Sequence, residues 1–145
     1  MRMSCRGRYA TRAMIELTLN HGKEPLPLKT IEKNQGISRK YLTQLMSGLK
    51  LAGLVRVVRG KNGGYMLSRP PSEITLADIL FSVEGDMSLV DCVQDQRLCY
   101  RSDECLAIPT WLELSQLIKD YLKSITLADA VKKGILSQSS EADEE

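Results

Sequence analysis

Cys92, Cys99 and Cys105 lie in one polar stretch, Asp91 to Cys105, with six and five residues between them. Only Cys5 lies elsewhere. A thiolate is a soft, anionic ligand, and three on a short segment can converge on one metal centre without a pre-built pocket. A metal or iron–sulfur site is therefore the leading expectation. The competing readings are a redox-active thiol set, disulfide partners, or small buried residues. Burial is opposed by the neighbours Asp91, Asp95, Arg97, Arg101, Asp103 and Glu104, types that seldom enter a core unpaired. Disulfides are opposed by a start, Met1 to Arg8, that leads into no apolar signal core, and by a chain long enough to fold on its own core.

The elements that must carry such a segment emerge from charge and periodicity. A chain of 145 residues with 43% hydrophobic content fits one compact domain plus an extension. No apolar run is long enough to span a membrane, and a basic start that leads into a mixed segment rather than an apolar signal core makes a cytoplasmic protein the expectation. The net charge of +2 hides a division. Residues 1–69 hold 14 of the 20 Lys and Arg and only 3 of the 18 Asp and Glu, a net of +11; residues 70–145 carry a net of −9. A basic half of this kind suits a polyanion, because each Lys or Arg beside a phosphate releases condensed counterions.

From Arg8 to Asn20, Ala10, Ala13, Met14 and Leu17 keep helical spacing; His21-Gly22 end that helix, His21 as a solvated helix-end residue. Leu28 to Gln35 is a second helix, Gly36-Ile37-Ser38 a tight turn with Ser38 as N-cap, and Arg39 to about Ala52 a third helix burying Tyr41, Leu42, Leu45, Leu49 and Ala52. Two helices joined so tightly are a helix-turn-helix. The second presents Ser38, Arg39, Lys40, Thr43, Gln44 and Ser47, types that read base edges and phosphates. Strands at Leu54–Val58 and Tyr65–Ser68 flank a basic glycine-rich turn, in which Asn62-Gly63 is a hairpin signal and Arg59 and Lys61 can reach phosphates. The whole is a winged helix. The glycine run lacks the Lys-Ser/Thr ending of a nucleotide-binding loop.

Pro70-Pro71 ends the basic half, and Thr75 with Asp78 forms a capping box for a helix to about Val83. The phrase Ile74-Thr75-Leu76-Ala77-Asp78 returns as Ile125-Thr126-Leu127-Ala128-Asp129, the same capping solution used twice. Pro109 opens a helix to about Ser124 in which Trp111, Leu114, Ile118, Tyr121 and Ile125 make a coiled-coil seam flanked by Leu112, Leu117 and Leu122. A second apolar face on this helix predicts a two-fold homodimer. The fold class is thus mostly α with a small β-hairpin. It divides into a winged helix-turn-helix region (1–69), a connecting helix (70–84), a cysteine-rich loop (85–108), a dimerisation helix with a short C-terminal helix (109–136), and an acidic disordered tail (137–145).

Met1-Arg2-Met3-Ser4 with Gly7-Arg8-Tyr9-Ala10, Gly36-Ile37-Ser38 through Tyr41-Leu42-Thr43-Gln44-Leu45, Gly53-Leu54-Val55, Arg59-Gly60 and Gly63-Gly64-Tyr65 together resemble the bacterial winged-helix regulators that include IscR, NsrR and CymR. The resemblance runs from residue 1 to about residue 133. It implies a homodimer with a long dimerisation helix and double-stranded operator DNA as partner. It also implies groove-reading positions at Ser38, Lys40, Tyr41, Thr43 and Gln44, with Arg59 at the base of the wing. Cluster-binding members carry three cysteines before that helix, as Cys92, Cys99 and Cys105 stand here, and likeness to IscR favours 2Fe-2S over 4Fe-4S. The family's further ligand positions fall on Ile108 and Arg8, which cannot ligate, so the fourth ligand is unassigned: Cys5, from this subunit or its partner, or else solvent, a backbone group or a small thiol completes the site.

The expected function is a transcriptional regulator, a repressor, whose operator affinity depends on an iron–sulfur cluster. One alternative keeps the winged helix but uses the cysteines as a thiol-redox or zinc sensor. Another is an iron–sulfur carrier whose basic half binds an acidic protein. No catalytic dyad, nucleophile elbow or phosphate loop points to an enzyme.

Overall fold

In the computed structural model, which describes residues 3–142, Ser4 opens the first helix by accepting the Gly7 N–H at 3.1 Å. That cap starts α1 at Cys5 (Cys5–Leu19), earlier than the expected Arg8, and Ala10, Ala13, Met14 and Leu17 are buried as their spacing requires. Helices α2 (Leu28–Gln35) and α3 (Arg39–Leu51) meet at Gly36, whose φ of 62° is the left-handed turn a side chain would strain. The Ser38 hydroxyl caps α3 by accepting the Tyr41 N–H at 3.4 Å. Leu42, Leu45 and Leu49 are buried with Met46, while Tyr41 is half-buried. Ala52, expected on the buried face, is exposed: it is the C-cap, where the chain is already leaving the helix.

Strands β1 (Val55–Val58) and β2 (Gly64–Leu67) pair antiparallel, Val55 opposite Leu67 and Val58 opposite Gly64. The hairpin is as expected but its turn is not an Asn-Gly one. Gly60 takes the positive φ, 116°, no non-glycine among the described residues does so, and the Gly63 N–H closes on the Gly60 carbonyl at 3.1 Å. The next two glycines are required by contact. A Cβ on Gly63 would run into the Val58 carbonyl oxygen, and one on Gly64 into that of Leu26. Leu26 in turn exchanges hydrogen bonds with Tyr65, at 3.0 and 2.9 Å, and ties the start of β2 to the segment before α2.

Beyond the wing, α4 (Leu76–Glu84) carries the expected capping box: the Thr75 N–H donates to Asp78 at 2.9 Å and the Asp78 N–H to the Thr75 hydroxyl at 3.1 Å. Thr126 and Asp129 repeat it at 3.0 and 3.1 Å ahead of α7 (Leu127–Ala142). The two copies also pair with each other. The Leu76 N–H donates to the Ile125 carbonyl at 2.9 Å and the Leu127 N–H to that of Ile74 at 2.8 Å. Ile74 and Leu127 are thereby sealed in the main core.

α7 is not short, and it takes in residues 137–142 of the expected disordered tail; 143–145 lie outside the described residues. Within it Ser137, Ser139 and Ser140 each donate to the carbonyl four residues back, at 3.0 Å. Helix α6 (Ile108–Ser124) rests on α4 through Ile118 and Leu122 against Ala77, Leu80 and Phe81. The expected five-residue seam is therefore divided. Ile118 packs within its own chain and Ile125 is half-buried, while Trp111, Leu114 and Tyr121 stay exposed with Leu117. Among the described residues no helix is long and apolar enough to cross a membrane.

Candidate DNA-binding surface and cysteine segment

The outward face of α3 is built by its cap and its buried stripe together. With Leu42, Leu45 and Leu49 inward, Lys40, Thr43, Gln44 and Ser47 must point out, and all four are exposed. Their neighbours are more constrained than the sequence suggests. Ser38 is exposed but its hydroxyl is engaged as the cap. Arg39 donates to Glu32 of α2, Nε to Oε2 at 2.9 Å, within an ion pair whose closest approach is 2.8 Å. Thr43 donates to the Arg39 carbonyl at 2.8 Å. Among the described residues Lys40 and Gln44 have no such side-chain partner and remain available to a ligand.

Tyr41, expected to face the groove, is half-buried and packs within its own chain. Its ring meets Tyr9 of α1 edge to face, with centroids 5.8 Å apart and planes at 84°. Arg12 lies over Tyr9, 5.5 Å from the ring centroid, and donates to the Gln35 side chain at 2.7 Å. Sequence periodicity identified neither Tyr9 nor Arg12, because their partners lie on other helices. On the wing, Arg59 and Lys61 are exposed as expected, and Arg56, on β1, is exposed beside them in sequence. Strand alternation from buried Val55 was the signal for Arg56.

The cysteine segment folds as short helical turns rather than an open loop. Cys92 lies in α5 (Asp91–Gln94), while Cys99 and Cys105 follow single 3₁₀ turns at Gln96–Leu98 and Ser102–Glu104. All three are free and half-buried. Arg97 is spent locally on Asp95, Nε to Oδ1 at 2.9 Å, which holds the Asp95 carboxyl below its usual range and raises the guanidinium. Both ends of the segment are anchored. At its base Lys119 of α6 binds Asp86 at 2.7 Å and, with the Ser88 hydroxyl, holds that carboxyl below its ordinary value. The Leu89 N–H donates to buried Ser115 at 3.3 Å. At the far end Ile108 is buried as the first residue of α6, which excludes it as a ligand by burial as well as by chemistry.

These thiols suit a soft metal centre, but this conformation does not gather them. Among the described residues no three His, Cys, Asp or Glu side chains are close enough to hold one metal ion. Cys5 is exposed at the first turn of α1, where Arg8 donates to its sulfur at 3.0 Å. Beside Cys99 and Cys105, Tyr100 and Leu106 are 96% and 95% exposed.

Residues 3–133 match the family profile described as Rrf2, iron-dependent transcriptional regulator. Over 131 residues the chain is 41% identical to the HTH-type transcriptional regulator IscR of Photorhabdus laumondii, covering 90% of this chain and 79% of that protein. It is 40% identical, with the same coverage, to IscR of Serratia proteamaculans. Among solved structures, CymR, the global cysteine regulator of B. subtilis, superposes with a TM-score of 0.76 at 37% identity, covering 92% of this chain and 98% of that one. T. potens IscR gives 0.73 at 36% identity, covering 92% and 88%. The winged helix and these likenesses agree: the chain is a DNA-binding transcriptional regulator, not an enzyme, and belongs to the Rrf2 family.

Proposed function

We propose that this regulator is a cytoplasmic repressor whose affinity for operator DNA is set by an iron–sulfur cluster held by Cys92, Cys99 and Cys105. The observation that carries the proposal is the set of three free, half-buried thiols on one segment whose base is anchored to α6, in a chain of a family described as iron-dependent. A cluster bound there, 2Fe-2S by likeness to the IscR relatives, would supply ligation that oxidation or iron shortage can remove. The chain's own residues do the rest. To ligate together, the cysteines draw the segment between α4 and α6 into one conformation. Trp111, Leu114, Leu117 and Tyr121, an exposed apolar stripe on α6, pack against a second copy. Two copies then present two α3 helices to half-sites about 34 Å apart, so a small change at the α4–α6 junction changes their fit.

On DNA, Lys40, Arg59 and Lys61 neutralise phosphates together with Arg39, which Glu32 partly holds back, Thr43 and Gln44 face base edges, and Ser38 and Tyr41 hold the start of α3 in place. Cys5, exposed on the first turn of α1 with Arg8 donating to its sulfur, remains the weakest candidate for a fourth ligand. The test is anaerobic purification with a visible spectrum and iron, sulfide and zinc assays on wild type and Cys99→Ala. Matched iron and sulfide lost in the variant support the proposal. Zinc without sulfide, or no metal after anaerobic reconstitution, contradicts it.

A further inference from the structure

Glu84 is the last residue of α4, and the chain leaves it for the cysteine segment through Gly85, whose φ of 78° makes a sharp exit. Its Oε1 accepts the Gly7 N–H at 2.8 Å, sharing that donor with the capping Ser4 hydroxyl against which it also lies, so a residue at the base of the segment grips the first turn of α1. First-turn N–H groups have no partner within their own helix, which makes a carboxylate there a favourable clamp. The approach is tight. A Cβ on Gly7 would sit 2.6 Å from that oxygen, 2.9 Å from Met3 Sδ and 3.1 Å from Leu80 Cδ2. Half a turn along α1, Tyr9 meets Tyr41 in the first turn of α3, with ring centroids 5.8 Å apart.

We propose that Glu84 is a positioning residue for DNA binding: by clamping Gly7 it makes the first turn of α1 follow the base of the cysteine segment, and Tyr9 passes that position to the start of α3 through Tyr41. The inference rests on the cysteine segment being the regulated element proposed above. The clamp and the ring pair sit within one turn of the same helix, which moves as a rigid unit. A shift at Gly85 therefore has a short physical route to the reading face, built from contacts with defined geometry rather than from proximity alone.

Two measurements on the full chain test it. In cluster-free protein, hydrogen exchange is compared between wild type, Glu84→Ala and Glu84→Gln. Glu84→Ala is expected to speed exchange about threefold or more both at residues 5–8 and at the first turn of α3, and Glu84→Gln, which keeps an acceptor for the Gly7 N–H, to restore most of the protection. Faster exchange confined to residues 5–8 overturns the proposal.

In anaerobically reconstituted protein, affinity is measured for a duplex that the wild type selects from a random library. With iron and sulfide content unchanged, Glu84→Ala is expected to shrink the ratio between cluster-loaded and cluster-free affinities about threefold or more. An unchanged ratio overturns the coupling. If wild type itself shows no difference between the two states, the iron-control proposal falls, and exchange at α3 alone then decides whether Glu84 positions that helix. Should Glu84→Ala not fold, Gly7→Ala displaces the same carboxylate by contact and carries both measurements.

Discussion

Thr75 and Thr126 lie opposite each other in an isolated antiparallel bridge, each the N-cap of a helix closed by its own aspartate. The repeated five-residue phrase is thus a clasp that fastens α7 to the start of α4. Thr126→Ala should cost about 1 kcal/mol of folding stability, the usual worth of a hydroxyl cap, and lower the urea midpoint without changing the slope. DNA affinity of the folded fraction should stay at wild type.

Asp86 and Lys119 anchor the base of the cysteine segment, and the lysine holds the carboxyl below its ordinary value. A carboxyl depressed in the folded state stabilises it above the unfolded value, near pH 4, and loses that contribution as pH falls through the lower folded value. Thermal melts between pH 2 and 7 should therefore show Asp86→Asn less stable than wild type at neutral pH. The two should converge in acid, with a shallower pH dependence for the variant.

On the wing, Lys61→Ala should weaken binding to all sequences alike and reduce the salt slope by about one. Gln44→Ala should instead blunt discrimination, by about 1–3 kcal/mol between cognate and mismatched duplexes. Fluorescence anisotropy on specific and random DNA at several salt concentrations separates the two, and equal losses on both duplexes for both variants would refute this division.

Arg39 is held by Glu32 at 2.8 Å, which makes its charge only partly available to phosphate. Glu32→Gln should release it and raise affinity for random DNA a few-fold at low salt, an effect that fades as salt rises. No change at low salt would mean that Arg39 lies outside the footprint.

Local chemistry was legible in the sequence. Gly36 as a left-handed turn, Ser38 as a cap and the Thr75–Asp78 box each depend on residues within four positions, and each stands as expected. What escaped was set by distant partners. The ITLAD phrases announced two caps but not that they pair, and the α6 periodicity could not say that Ile118 turns toward Phe81 and Leu80 in its own chain. Glu84 reaches back to Gly7, and no periodicity spans that interval. The end of α7 reads as disordered from its polar and acidic composition, whereas its residues to Ala142 continue the helix begun at Leu127. The cysteines were found by type and spacing, yet spacing does not encode convergence, and these thiols are not gathered.

The most direct test of the central claim measures operator affinity on one anaerobic preparation before and after the cluster is removed, with Cys99→Ala beside it. Cluster control predicts at least about a fivefold difference between the two states of wild type, absent in the variant. Equal affinities in a preparation with matched iron and sulfide would contradict it, leaving a DNA-binding regulator whose cysteines do not govern its operator.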